Sequence, residues 1–107
     1  MQANQYQSKG GYLIMFVLIK CDTCRVGTSL EEVYEFDDDT TEDQLQEYAD
    51  DLARDNADSY GIIDDEIAES EESGIEFEDG SCYWATVEVL DGTREEILDE
   101  YGDIYEP

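Results

Sequence analysis

Apolar residues run almost unbroken through "YLIMFVLIKC", Tyr12 to Cys21, interrupted only by Lys20. A run of this length, rich in Ile, Val, Leu and Phe, predicts a strand buried on both faces rather than a helix. "CDTCRVGTS" supplies turn chemistry through Asp22, Thr23 and Gly27. Leu30 to Phe36 then returns as a second strand, with Leu30, Tyr34 and Phe36 on one face and Glu32 as the exception near its start, so an antiparallel hairpin is expected. The period changes after Thr41. Leu45, Tyr48, Ala49, Leu52, Ala53 and Ala57 recur at helical spacing and form one apolar stripe. Thr40 or Thr41 can cap this helix, and Thr41 with Gln44 has the spacing of a capping box. Glu42 and Asp43 complement the dipole of its first turn, and Gly61 is its expected stop.

Ile62 to Ser73 reads as a short second helix using Ile63, Ile67 and Ala68, ended by Gly74. "GIEFEDGS" is turn-rich. Cys82 to Leu90 alternates as a third strand, with Tyr83, Ala85, Val87 and Val89 on one face. Thr93 and Glu96 form a second capping box, opening a helix with Ile97, Leu98 and Tyr101 inward and Gly102 as its stop. The expected fold is α+β: a small antiparallel three-stranded sheet, one long acidic helix and one or two short helices, in the order β-β-α-(α)-β-α with the helices on one face. Residues 1–11 are expected to form a flexible N-terminal tail, 12–102 a single domain and 103–107 a loose C-terminal tail. The strand and stripe aromatics, Tyr12, Phe16, Tyr34, Phe36, Tyr48 and Trp84, are assigned to core packing, and Tyr60, Tyr101 and Tyr105 to the surface.

Charge changes the picture. The 107 residues carry a formal net charge of −26, with 31 acids, 5 bases and no His. An ordinary small domain has a net charge of magnitude roughly 2–8. Hydrophobic residues still make up 40 % of the chain, enough to bury a core and to argue against full disorder. The acids are unevenly placed: Asp22 is the only one among the first 25 residues, and from Val26 onward thirty acids stand against two bases, Arg54 and Arg94. This sign excludes direct nucleic-acid binding and anionic membrane surfaces, and it points to a basic partner. The apolar run is too short to span a bilayer, which takes about 20 residues. Cys21, Cys24 and Cys82 are an odd number with no repeating framework, which reads as a reducing cytoplasm.

Stepping about 100° per residue from Leu45 puts Asp43, Glu47, Asp50, Asp51 and Asp58 in one outward arc, with Asp55 at its margin and Arg54 inside it. The pairs Asp43/Glu47, Glu47/Asp51, Asp51/Asp55, Glu47/Asp50 and Asp55/Asp58 each cost roughly 0.2–0.5 kcal/mol in an isolated helix. Their total is on the order of 1–2 kcal/mol, a noticeable part of the ~5–15 kcal/mol that holds a domain together. Alternating Lys and Glu would remove that cost, so stability does not explain the pattern. Duplex DNA carries one charge per about 3.4 Å of axis on each strand. Carboxylates four residues apart on a helix rise about 6 Å, close to two such steps. A second run, Asp64, Asp65, Glu66, Glu69, Glu71, Glu72, Glu76, Glu78 and Asp79, offers another line of charge, and Asp37, Asp38 and Asp39 flank the helix.

Small, very acidic, Lys-poor chains of this length resemble the DNA-mimic inhibitors of phages and mobile elements: anti-CRISPR proteins, anti-restriction proteins and inhibitors of uracil-DNA glycosylase. Residues 26–53, "VGTSLEEVYEFDDDTTEDQLQEYADDLA", also look like short phage reading frames with a strand, a "DDDTTE" cap and an acidic helix. The resemblance implies a stoichiometric, non-enzymatic inhibitor, monomeric or homodimeric, that occupies the DNA path of a basic nucleic-acid-binding protein in the host cytoplasm. A CRISPR effector is the first expected target. A restriction enzyme or DNA-repair enzyme is the alternative. No cofactor is implied.

Two readings of another class stand beside it. Cys21-Asp22-Thr23-Cys24 is a C-x-x-C at a turn, and with Cys82 it offers an incomplete zinc or redox site, since structural zinc takes four N or S ligands. High acid content with few Lys also fits adaptation to high salt. Acid runs starting at Asp37 and Asp64 fail the calcium-loop pattern, because neither has Gly at its sixth position. Without His, a nucleophile elbow or a phosphate-binding Gly loop, the chain is not expected to be an enzyme.

Overall fold

The computed structural model describes residues 6–9, 12–78 and 80–107. Its elements are β1 (Tyr6–Lys9), β2 (Tyr12–Thr23), β3 (Leu30–Asp37), α1 (Glu42–Ser59), α2 (Ile62–Ser73), β4 (Tyr83–Leu90) and α3 (Arg94–Tyr101). All strand pairings within the sheet are antiparallel. β2 is the central strand. β3 pairs with Ile14 to Cys21 along one side of it, and β4 pairs with Phe16 to Thr23 along the other. β1 pairs with Tyr12 to Met15, so it lies end to end with β4 on the same edge. The α+β class and the three main strands are as the sequence predicts, and β1 is an addition. It falls inside the stretch read as a tail, of which residues 1–5, 10 and 11 lie outside the described residues.

The continuous apolar run of β2 is explained by burial on both faces. Met15, Val17, Ile19 and Cys21 pack with Tyr34, Phe36 and the α1 residues Leu45, Ala49 and Ala53. Ile14, Phe16 and Leu18 point the other way, into a cluster with Val33, Leu90 and the α3 residue Ile97. The helices therefore cover both faces, which corrects the expectation of one. A strand apolar at every position from Leu13 to Ile19 must be roofed twice, since a bare second face would leave Ile14, Phe16 and Leu18 in water. Phe16 is fully buried, and the Arg94 guanidinium lies 5.2 Å from its ring centroid. Arg94 Nη2 also reaches Oε2 of the buried Glu35 at 2.7 Å.

Both capping boxes form. Thr41 accepts from the Gln44 N–H while the Gln44 side chain accepts from the Thr41 N–H, and Thr93 and Glu96 repeat the arrangement. Gly61 takes φ 73° between α1 and α2, a left-handed conformation that ends the first helix cheaply only because the residue has no Cβ. α2 buries Ile62 and Ile63 against Ala57 and Cys82. Ile67 and Ala68, expected to face inward, are exposed because α2 leaves the core after its first turn. In α3 only Ile97 is buried; Leu98 and Tyr101, placed inward by the helical spacing, are exposed, and Tyr101 thus stands at the surface with Tyr60 and Tyr105. Trp84 likewise stands 49 % exposed. The C-terminal tail is paired rather than loose. Tyr105 donates its N–H to the Val33 carbonyl (2.8 Å), and its carbonyl accepts from Glu35 N–H (2.9 Å), along the outer edge of β3.

Candidate acidic interface

The outward face of α1 is built from its inward one. Leu45, Ala49, Ala53 and Ala57 are all at most 2 % exposed, so the helix seats its small residues directly on the sheet. A helix held by that stripe must turn the opposite arc to solvent. Asp43, Glu47, Asp50, Asp51, Asp55 and Asp58 are accordingly all exposed. Over 18 residues the helix runs about 27 Å. Acids open each helix (Glu42 and Asp43, Asp64 and Asp65, Glu95 and Glu96), and no base closes any of them. The carbonyl ends of the helix dipoles thus add to the negative field rather than being neutralised.

Asp37, Asp38 and Asp39 are exposed at the corner between β3 and α1, where Asp38 N–H donates to the Leu13 carbonyl (3.0 Å) and Thr40 N–H to the Asp37 carbonyl (3.0 Å). These bonds fix the corner that leads into the helix. Asp50 and Asp65 are partly engaged within the molecule. Gln46 Nε2 donates to Asp50 Oδ1 (2.9 Å) and to the Ala85 carbonyl (3.1 Å), tying the acidic face to β4. Arg25 Nη1 pairs with Asp65 Oδ2 at 3.0 Å across the surface, which holds the β2–β3 turn against α2. Of the other acids in the second run, Asp64, Glu69, Glu71 and Glu72 are exposed and Glu66 is half-buried. Asp79 lies outside the described residues. α2 and the chain after it flank an open groove of about 730 Å³ lined by Glu66, Glu69, Glu72, Glu76 and Glu78 beside Ile75 and Phe77. Crowding is felt here. The Glu66 carboxyl is raised above its ordinary range, first by the hydrogen bond it shares with Glu69, then by burial and the neighbouring charge.

Self-repulsion yields a direct prediction. Asp51 sits between Glu47 and Asp55 at four-residue spacing and three residues before Arg54, so Asp51→Lys turns two repulsive pairs attractive and one attractive pair repulsive. The variant gains about 0.5 kcal/mol, and its melting temperature rises by about 3 °C. A melt at low ionic strength checks this, and an unchanged or lower melting temperature contradicts it.

The three cysteines do not come together as a ligand set. Cys21 and Cys82 are buried and Cys24 is exposed. Among the described residues no group of three His, Cys, Asp or Glu side chains is placed to hold a metal ion. Burial, then the charges of Glu32 and Asp50, push the Cys21 thiol from the ordinary 9.0 up to about 11. A neutral, buried thiol is inert toward metal and disulfide exchange. The native protein should therefore react with a thiol reagent fast at Cys24 alone, and at all three cysteines once unfolded. Rapid modification of Cys21 in the folded state would contradict this. The same shift sets an alkaline limit. Between pH 9 and about 11 the unfolded chain releases the Cys21 proton while the folded chain keeps it, so stability falls as pH rises through that window. Tyr34, raised by burial and by its hydrogen bond to Glu32 (2.8 Å), acts in the same direction at higher pH.

Gln46, Arg25 and Arg94 act as positioning residues that the hydrophobic and charge patterns do not single out. The signal for Arg94 was its place in a capping box opposite the apolar strand. Gln46 and Arg25 gave none, because their partners are remote in sequence. Among the described residues no helix is long and apolar enough to cross a membrane. Compared with known proteins, the chain matches no family model, no curated protein and no solved structure.

Proposed function

We propose that the protein is a stoichiometric inhibitor that counterfeits the phosphate backbone of a nucleic acid and blocks a basic DNA-binding protein of a host-defence system. A CRISPR–Cas effector is the first candidate target, and a restriction or DNA-repair enzyme is the next by the same mimicry. It acts without catalysis, in the host cytoplasm. The observation that carries this reading is the outward arc of α1: an ordered row of exposed acids on a helix whose other side is locked to the sheet.

Charge density supports it. The molecule measures 54 × 25 × 22 Å. A net charge of −26 along its 54 Å axis is about one negative charge per 2.1 Å. Duplex DNA has one per about 1.7 Å. A cleft evolved to neutralise phosphates meets nearly the same linear charge, and long-range attraction speeds encounter at low salt. Fixed carboxylates on a folded body are also pre-organised, which limits the ordering cost of binding.

The test is capture from host lysate on the immobilised protein at low ionic strength, followed by displacement with duplex DNA and, separately, with a NaCl gradient. DNA-binding proteins that are released by duplex and by moderate salt support the reading. Capture that duplex cannot displace overturns it. The competing reading, adaptation to high salt, predicts folding only near molar salt. A cooperative melt at low ionic strength removes it.

A further inference from the structure

Two of the three cysteines stand across from one another in the sheet. The β2–β4 ladder pairs Cys21 with Ala85, Asp22 with Trp84 and Thr23 with Tyr83. One step further, the same register sets Cys24 opposite Cys82. The bond from Cys24 N–H to the Cys82 carbonyl (3.1 Å) carries the pairing to this point. A hydrogen-bonded pair in an antiparallel ladder has its Cα atoms about 5.5 Å apart and its side chains on one side of the ladder. A disulfide takes a Cα separation of roughly 4.4–6.8 Å, most often near 5.5–6 Å. Cys21 instead lies opposite Leu30 on β3 and Ala85 on β4, with its side chain buried in the α1 cluster.

The two thiols differ in the way a two-step exchange requires. Cys24 is exposed at the start of the β2–β3 turn. Its neighbour Arg25, held above its ordinary pKa first by the hydrogen bond to Asp65 of α2, also feels the Cys24 sulfur, so that sulfur lies at the α2 end of the sheet. Cys82 is 2 % exposed and packs at the same end, against Ile62 and Ile63 of α2. Burial keeps Cys82 from reagents in solution. What reaches it is a sulfur bonded to its cross-strand neighbour.

We propose that Cys24 and Cys82 form a reversible cross-strand disulfide by exchange with a small-molecule disulfide of the glutathione type. The Cys24 thiolate attacks one sulfur of the reagent, and one glutathione leaves as a thiol. Cys82 then gives up its proton and attacks the Cys24 sulfur, and the second glutathione leaves. Two protein thiols lose two electrons and two protons, and one glutathione disulfide becomes two thiols. Proximity offsets the burial of Cys82, because the second step joins groups already held together. Side chains of a hydrogen-bonded pair stand farther apart than those of the alternate pairs, so the bridge closes under strain and opens readily to a reducing thiol. In a reducing compartment the chain stays a dithiol and closes the bridge only under oxidation. The closed loop holds β3, α1 and α2, so the segments that carry the crowded acids are tied at their two ends.

The experiment is incubation of the folded full chain with glutathione disulfide at neutral pH for several hours, the time such rearrangements take. An acid quench, intact mass and peptide mapping follow. The expected product has lost two hydrogen atoms, carries no glutathione and yields a peptide linking Cys24 to Cys82. Its melting temperature is higher than that of the dithiol by on the order of 10 °C, since the bridge restrains the unfolded chain. Excess dithiol returns the starting mass. Cys82→Ser should stop at one glutathione on Cys24. Cys24→Ser, at an exposed position that leaves the fold intact, should take up none. A wild type that keeps glutathione on Cys24, or a bridge that forms only in denaturant, overturns the proposal. So does a link through Cys21, or a linked product that resists dithiol or melts no higher than the dithiol. The bridge forms or fails whatever the protein captures, so these outcomes and the test by duplex displacement are read separately.

Discussion

Reversing Glu47, Asp51 and Asp55 to Lys together is expected to weaken capture of the cationic partner by on the order of 100-fold or more at low salt. The three positions form one line at four-residue spacing on the exposed face of α1. Each reversal changes an attraction into a repulsion, so three of them outweigh what neighbouring acids can supply. The salt dependence of the remaining binding should flatten as well, because fewer charges are brought together. The fold should survive, since none of the three side chains is buried and the stripe of Leu45, Ala49, Ala53 and Ala57 is untouched. Circular dichroism and a melt establish that point before binding is read. If Asp51→Lys alone is more stable yet captures less, then the acidic row is kept at the expense of stability, as a binding surface requires.

The second large effect is at Phe16. Phe16→Ala should cost about 3–5 kcal/mol, from lost transfer energy and from the cavity left beneath α3. That is a large part of the ~5–15 kcal/mol available to a domain, and the melting temperature should fall by on the order of 20 °C. The ring does more than fill space. It carries the Arg94 guanidinium, which in turn faces Glu35, a carboxylate only 8 % exposed in its side chain. Losing the ring loosens the only ion pair seen between α3 and β3 among the described residues. Arg94→Ala should cost about 2–3 kcal/mol, below the usual figure for a buried pair because the Arg94 side chain is itself 39 % exposed. Denaturant melts of both variants check the order, and an Arg94→Ala effect larger than that of Phe16→Ala contradicts this account of the second core.

The parts of the fold that could be read from sequence are those with local causes. The Thr41 and Thr93 capping boxes, the left-handed Gly61 and the alternation of β4 each depend on neighbours within a few residues. The misreadings all concern distant partners. The apolar run marks β2 as buried on both faces, yet nothing in the sequence separates the face that α3 covers from the face that α1 covers. The period-2 and period-3.6 patterns say which side of an element is apolar and not which element meets it. β1 was missed because its residues are polar and gain order only from pairing with β2. The tail was missed because its two bonds to β3 are backbone bonds that no side-chain pattern encodes. The acidic surface was the most legible part of all. Exposure follows directly from the position of the apolar stripe, and every acid of the α1 arc lies where that stripe requires. What a sequence withholds is the receptor, because the chemistry of a mimic is written in the cleft it fills.

Competition decides the central claim. A partner captured from the host is loaded with a labelled duplex, and the protein is added in increasing amounts while the bound label is followed by anisotropy. Mimicry predicts that the duplex is released in proportion to added protein, with an endpoint at one protein, or one dimer, per partner site and no ternary complex. A stable complex holding protein and duplex together would contradict it.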